Sequence, residues 1–422
     1  MDLTLALALV LGLYMAWAIG ANDVANAMAT SVGSRSLTLA QAVVVAGILE
    51  FLGAYLFGAN VTQTIRKGIL DVNAAAASPD LVLYGMLAAL TSAATWLLLA
   101  SRVGWPVSTT HSIVGAIAGF GVVALGIDAV NWAALGSIVA SWVVSPLISG
   151  AIAFLLLILI RRTILDLEHP VEAMRRFGPL YVFAVVAVMG LVTLFRGLKH
   201  VDLELGAVES LVLIAVLSLA VSLVAAYFIR KVPVDRSADH SQEFQTVERM
   251  FAVLNVASAC AVAFAHGSND VANAVGPVAA ILSILETGTL TAASHVPAWI
   301  LALGGVGIVV GLATYGYKVI ATVGERITEL TPSRGYAAQF AAAMTIALAS
   351  KLAIPVSTTH VLVGAVLGVG LARGIGALDY GVVGRIALSW IVTLPMGAGL
   401  AIVFFYIYRF LLPLVGGPGG GS

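Results

Sequence analysis

The sequence predicts an all-α polytopic membrane protein built from two inverted-topology repeats. Each repeat holds about five membrane segments with broken helices or re-entrant hairpins, and a two-helix linker joins them. Three observations predict this. The composition cannot make a water-facing surface, ten or more apolar stretches are long enough to cross a bilayer, and one set of motifs occurs twice in the same order.

Composition comes first because it names the solvent. Of 422 residues, 60% are hydrophobic and 10% charged, whereas a soluble domain is about 25% charged. So few charges cannot cover a solvated surface, and lipid is the expected surrounding. Lys+Arg and Asp+Glu balance at 21 each, which excludes the basic excess a nucleic-acid surface needs. The single cysteine, Cys260, can form no internal disulfide. No nucleophile–base pair or nucleotide loop appears, so neither an enzyme nor a cofactor is expected. The opening run MDLTLALALVLGLYMAWAIG has Asp2 as its first charge, not the basic start of a secretory signal. It reads as a retained first membrane helix. The closing GGPGGGS reads as a tag remnant over 416–422.

A helix needs about 20 apolar residues to span the hydrocarbon core. Stretches of that kind lie near 3–30, 39–58, 82–100, 132–160, 180–195, 208–229, 249–275, 298–317, 336–350 and 380–410. Two more, 107–126 and 355–371, are rich in Gly, Ser and Thr and read equally as crossings or re-entrant hairpins. The expected count is therefore ten to twelve.

The duplication organises these stretches. IGANDVANA at 19–27 is matched by HGSNDVANA at 266–274, and PVSTTH at 106–111 by PVSTTH at 355–360. SWVVSP at 141–146 parallels SWIVTLP at 389–395. Three blocks in one order at nearly one offset define the divisions. These are a first repeat at 1–161, a linker with two helices at 162–248, and a second repeat at 249–415. Arg161, Arg162, Arg175 and Arg176 fill one loop, and Arg230, Lys231, Arg236 and Arg249 another. Loops rich in Lys and Arg favour the cytoplasm. With five crossings per half, the halves then run in opposite directions and both termini lie outside the cell membrane. Arg66 and Lys67 fall on the outer side in this arrangement, against the same rule. Inverted repeats are typical of secondary transporters, whose sites lie near the midplane between the repeats.

Asn22, Asp23 and Asn26 lie deep in the first apolar stretch, and Asn269, Asp270 and Asn273 deep in its twin. An ionised carboxylate in lipid costs about 2.5–3.5 kcal/mol on insertion scales. It persists only against a partner, water or the protein interior. Carboxylate, amide and carbonyl oxygens together suit a hard cation. The plainer alternative is a hydrogen-bond network that glues helices together. Gly20 and Gly267 precede the clusters, where a helix break would expose carbonyls. Glu50 is a lone acid in AGILEFLG with no evident partner in the second half.

In PVSTTH, Pro106 and Pro355 suit the first turn of a helix. Ser108, Thr109, Thr110 and their twins Ser357, Thr358, Thr359 then lie at a helix N-terminus, where free amides and the dipole attract an oxyanion. The plainer alternative is helix capping. His111 and His360 could bond a ligand, relay a proton or anchor the loop, and anchoring is favoured.

The paired GANDVANA and GSNDVANA segments, the twin PVSTTH motifs and TIRKGI at 64–69 resemble the inorganic phosphate transporter (PiT) family over nearly the whole chain. The resemblance implies a phosphate symporter driven by sodium or protons. It implies coupling-ion and substrate roles for the two Asn-Asp-Asn clusters, and substrate contacts for the Ser-Thr-Thr runs. Asp23, Asn26, Asp270 and Asn273 are taken as sodium ligands. Asn22, Asn269, Ser108, Thr109, Thr110, Ser357, Thr358 and Thr359 are taken as phosphate contacts. Glu50, His111 and His360 are secondary candidates. Gln339 in GYAAQF stands where relatives often have Glu. The expected partners are phosphate, sodium and lipid, with a homodimer as the candidate assembly. The alternatives are proton coupling, sulfate as substrate, or the different class of channel or receptor.

Overall fold

The structure is a computed structural model that describes residues 3–67, 69–197, 206–232, 240–288, 296–351 and 356–414. Among these, the chain is helical throughout, with one isolated bridge between Leu70 and Val130. The first half holds α1 (Leu3–Gly33), α2 (Leu39–Lys67), the short α3 (Val72–Ala77), α4 (Pro79–Arg102), α5 (Thr109–Leu125) and α6 (Trp132–Ile160). The linker contributes α7 (Pro170–Gly197) and α8 (Ala207–Lys231). The second half holds α9 (His240–Thr287), α10 (Ala298–Tyr315), the short α11 (Tyr317–Ala321), α12 (Pro332–Lys351), α13 (Thr358–Arg373) and α14 (Tyr380–Leu414). Nine of these helices are long and apolar enough to cross a membrane. The predicted stretch 336–350 forms α12, which carries Arg334, Gln339 and Thr345 and is not one of the nine.

The main packings between the halves come in pairs related by exchanging the halves. Helix α1 packs on α10 as α9 packs on α2, α6 on α13 as α14 on α5, and α4 on α14 as α12 on α6. The directions are legible from the contacts. Along α1, Gly12 lies against Val278, Asp23 against His266 and Thr30 against Asn255, so α1 and α9 run antiparallel. Twin helices running in opposite directions make the repeats inverted. The pseudo-twofold axis passes where α1 and α9 cross, between Asp23 and Asp270. An axis that exchanges the two membrane faces lies at the midplane, so these carboxylates do too.

Helices α4 and α5 form a hairpin whose turn lies beside this crossing, and α12 and α13 form its twin. The 107–126 run and the described part of 355–371 are thus the inner arms of the two helix pairs, with their N-terminal ends at the centre.

Two expectations need correction. Neither α1 nor α9 breaks at its motif glycine, because both are continuous helices there. The glycines serve close packing instead. A Cβ added to Gly20 would stand 1.9 Å from the Ile308 carbonyl oxygen, and one added to Gly267 would stand 2.1 Å from that of Glu50. Small residues let membrane helices approach in this way. Pro106 is not in the first turn of α5, which starts at Thr109 with Ser108 as its N-cap. Its carbonyl instead accepts a hydrogen bond from Trp390 Nε1 at 3.2 Å. Pro355 lies outside the described residues.

The positive loops meet at one end of the molecule. Arg175 donates to the Val232 carbonyl oxygen, and His240 Nε2 lies 3.2 Å from that of Leu167. At this end α9 begins at His240, inside the linker, and its acidic residues cap other helices. Glu243 accepts from Val171 N at the start of α7. Glu248 accepts from Ser333 N at 2.8 Å, Ser333 Oγ at 2.7 Å and Thr331 Oγ1 at 3.0 Å at the start of α12. Hydrogen bonds to a charged acceptor are each worth about 1.5–3 kcal/mol. Glu248→Ala is therefore expected to destabilise the protein by about 3 kcal/mol, read as a lower melting temperature in detergent against Glu248→Gln.

Candidate functional site: an acidic cluster on the pseudo-twofold axis

The amide and carboxylate residues of α1 face the centre because Asn22, Asp23 and Asn26 share one side of the helix. All three are buried, as are Asp270 and Asn273 on α9, while Asn269 is half-buried. Their own helices spend their backbone groups internally, so these side chains must find partners on other elements or on a ligand.

Asp23 and Asp270 both point to hairpin tips. Thr109 Oγ1 donates to Asp23 Oδ2 at 2.5 Å, and its twin Thr358 Oγ1 donates to Asp270 Oδ2 at 3.4 Å. The carboxylates thus sit at the positive ends of α5 and α13, where helix dipoles favour negative charge. Ser108 and Ser357 are N-caps, accepting from His111 N at 3.2 Å and His360 N at 3.3 Å. The capping alternative thus describes the serines, while Thr109 and Thr358 face the acids.

The amides do different work in the two halves. Asn22 clamps the first hairpin: Nδ2 donates to Ser101 Oγ at 2.9 Å and the Trp105 carbonyl at 3.0 Å, and Oδ1 accepts from Val107 N at 3.2 Å. Asn26 Nδ2 donates to Thr359 Oγ1 at 2.9 Å and Thr358 Oγ1 at 3.2 Å, tying α1 to the second hairpin. Thr359 Oγ1 donates onward to the Val107 carbonyl at 3.2 Å, so the two tips touch. Asn269 Nδ2 donates to Asp270 Oδ1 at 2.7 Å. In contrast to Asn26, Asn273 Nδ2 is buried with no hydrogen-bond partner among the described residues, and so is Asp23 Oδ1. Thr110, the twin of Thr359, is only half-buried. The second hairpin is locked onto α1, whereas the first is not locked onto α9.

Glu50 finds the partner its sequence context did not show. Its Oε1 lies 3.1 Å from His266 Nδ1, and both side chains are fully buried. His266 Nε2 in turn lies 2.7 Å from Asp270 Oδ2 and 3.9 Å from Asp23 Oδ2. Sequence reasoning missed His266. The available signal was the difference between the copies, since His266 occupies the place of Ile19 in a motif that otherwise differs only at Ala21 and Ser268. Gln339 is fully buried and accepts from Thr30 Oγ1 at 2.9 Å. Its amide donates to the Ala27 carbonyl at 3.0 Å, which an ionised Glu could not do.

The remaining candidates lie together behind the tips. His111 stacks on Trp142 with centroids 3.2 Å apart, and His360 stacks on Trp390 at 3.7 Å. The imidazoles meet edge to face at 4.3 Å, and His360 Nδ1 lies 3.1 Å from the Trp142 carbonyl oxygen. These contacts tie α5 and α13 to α6 and α14. The His–Trp group floors an apolar groove of about 790 Å³.

Known proteins share this architecture. Residues 19–401 match the model of the phosphate transporter family. A Haemophilus influenzae protein whose name includes phosphate permease is 48% identical, covering 95% of each chain. The chloroplastic inorganic phosphate transporter 2-1 of Arabidopsis thaliana is 44% identical, covering 96% of this chain and 72% of its own. A solved structure described as the sodium-dependent phosphate transporter superposes with a TM-score of 0.88 at 42% identity, covering 97% of this chain and 100% of its own.

Proposed function

The chain belongs to the phosphate transporter family, and from that premise we propose that it imports inorganic phosphate together with sodium by alternating access. The observation that carries the reading is the pairing of each hairpin-tip threonine with a midplane aspartate. While Asp23 Oδ2 holds Thr109 Oγ1, that hydroxyl is spent on the protein's own anion. A sodium ion on the carboxylate competes for the same oxygen and releases the hydroxyl to donate to phosphate.

Charge makes the order obligatory. Two unit charges about 6 Å apart repel by about 2.8 kcal/mol at an effective dielectric near 20. Phosphate beside Asp23 and Asp270 meets that repulsion from each until cations offset it. No Lys or Arg occurs in α1 or between 250 and 287 in α9 to do so, and the one basic side chain there, His266, is shared among Glu50, Asp270 and Asp23. Hard oxygen donors from Asp23, Asn26, Asp270 and Asn273 suit sodium, and the buried, unpartnered Asp23 Oδ1 is an acceptor awaiting a ligand.

Access alternates through the inequality of the halves. Asn26 grips the second hairpin, while Asn273 has nothing to grip. In the opposite state, Asn273 takes the first hairpin's threonines and Asn26 releases the second's. The meeting of the positive loops at one end supports placing that end in the cytoplasm and both termini outside. A homodimer is part of the same reading.

The test is uptake of radiolabelled phosphate by proteoliposomes under separately imposed sodium and proton gradients. Accumulation that follows sodium and is unaffected by excess sulfate is the expected result. A proton-coupled carrier is the second reading, favoured by the Glu50–His266–Asp270 chain. Sodium-free accumulation driven by a pH gradient would decide for it.

A further inference from the structure

We propose that Arg102 and Lys318 form a second anion station, on the cytoplasmic side of the central cluster, which takes phosphate as it leaves Asp23 and Asp270. The choice of phosphate as ligand rests on the symport reading above, whereas the depth and charge of the pair do not. The station is one layer from the centre. Asn22, the neighbour of Asp23, donates to Ser101 Oγ and to the Trp105 carbonyl oxygen, which flank the turn that carries Arg102. The twin position in the second half, also four residues before PVSTTH, is basic too, being Lys351.

Packing on α1 sets the depth. A Cβ added to Gly316 would stand 2.3 Å from Val24 Cγ1, and one added to Gly324 would stand 2.3 Å from the Ala29 carbonyl oxygen. Lys318 therefore lies between the levels of Val24 and Ala29. At 1.5 Å per residue its backbone is within about 9 Å of Asp23 along α1, whereas half the hydrocarbon core is about 15 Å. Lys318 Nζ reaches the Arg102 carbonyl oxygen at 3.4 Å, so Arg102 shares that depth. The direction of α4 sets the side. Its Thr91 meets Tyr408 of α14, its Trp96 meets Thr393, and Pro106 beyond its end meets Trp390. Helix α14 begins beside Ile327, whose carbonyl accepts from Asp379 N at 3.1 Å, just before α12 starts at the end of the positive loops. The tip at 102–105 thus points toward that end.

Arg102 is exposed and Lys318 half-buried, and neither belongs to an ion pair among the described residues. Lipid expels a cation at this depth, which persists only against a protein partner or water. Lys318 has one carbonyl and the ring of Tyr315 at 4.9 Å, and the guanidinium of Arg102 has no partner among the described residues. The open side of the pair is therefore an aqueous vestibule. An oxyanion is the ligand such a pair selects, because the planar guanidinium donates two parallel hydrogen bonds to phosphate oxygens and the ammonium adds a point charge. Once sodium departs, the aspartates repel phosphate and these cations attract it. The charges that make binding wait for sodium thus also direct release.

The experiment has two arms on the full-length chain. Val103, 63% exposed, lies next to Arg102, so Val103→Cys in a Cys260→Ala background puts the single thiol beside both intact cations. In inside-out vesicles a charged, membrane-impermeant thiosulfonate is expected to label it, and phosphate in the bath to slow the labelling. No labelling, labelling only from the outer side, or labelling that phosphate leaves unchanged overturns the proposal. In the second arm, radiolabelled phosphate is expected to bind the wild-type protein in sodium-free detergent solution at one site per chain, in competition with sulfate, and Asp23→Asn should keep that binding. Arg102→Gln and Lys318→Gln should each weaken it about tenfold or more, as the loss of a charge-assisted hydrogen bond does. Binding that both variants leave unchanged belongs to other cations, such as Arg334 or Arg409, and overturns the proposal, as does the absence of sodium-free binding. Sodium-driven uptake without a sodium-free site would remove the station and leave the symport reading. A sodium-free site that needs Arg102 and Lys318, in a protein through which no gradient drives phosphate, would remove the symport reading and leave the station.

Discussion

Asp23→Asn is expected to reduce sodium-driven phosphate uptake at least about 100-fold while the protein folds and purifies as before. The substitution keeps the shape of the side chain and an acceptor for Thr109 Oγ1, so the 2.5 Å contact to the hairpin tip has a neutral replacement. What disappears is the charge that holds a cation. Phosphate then faces Asp270 without an ion between them. A repulsion of about 2.8 kcal/mol at 6 Å corresponds to about a hundredfold in affinity. Folding does not suffer, because the change removes a buried charge and adds none. Asp270→Asn should behave in the same way through Thr358. The measurement is radiolabelled phosphate in proteoliposomes, with size exclusion and thermal melting on the same preparations. Wild-type uptake by either variant would remove the charge argument.

Gly267→Ala is expected to cost about 3 kcal/mol of stability, at the upper end of overpacking penalties, and most of the uptake. The new Cβ would stand 2.1 Å from the Glu50 carbonyl oxygen and 2.5 Å from its Cα. Backbone cannot yield as a flexible side chain does, so α2 must move away from α9. That movement carries Glu50 off His266 and loosens the support of the acidic cluster. The melting temperature and uptake should therefore fall together. Gly136→Ala is the matched control, because a Cβ there meets nothing within 4 Å, and surface changes of that kind stay within about 0.5 kcal/mol. Equal behaviour of the two variants would show that the close approach of α2 and α9 does not matter.

Much of this is legible in the sequence alone. Apolar stretches marked the membrane helices, and matched motifs marked the repeats. Burying Asp23 and Asp270 in apolar runs demanded company for them. What escaped did so for physical reasons. His266 has no twin, since Ile19 stands in its place, and a search for what the halves share passes over what only one has. Glu50 looked solitary because its partner lies on the other half of the chain. Gly20 and Gly267 looked like weak points in a helix because sequence shows a missing side chain but not the neighbour that fills its space. The clamp made by Asn22 was hidden for a related reason. An amide near a motif reads as a ligand contact until the loop that it holds is seen.

Helix α9 has a mechanical consequence. Its 48 residues make a rod about 72 Å long at 1.5 Å per residue, against about 40–45 Å for a whole bilayer. One end therefore stands in water, where Glu243 and Glu248 fasten the collars of α7 and α12. From Glu248 to Asp270 it carries no proline, Pro277 lying beyond. A swing of about 5° about the fastened end displaces the Asp270 backbone by about 3 Å over a lever arm of about 33 Å. Grip on the aqueous collar is thus leverage on the ion-holding centre, and a force applied in water is felt in the middle of the bilayer.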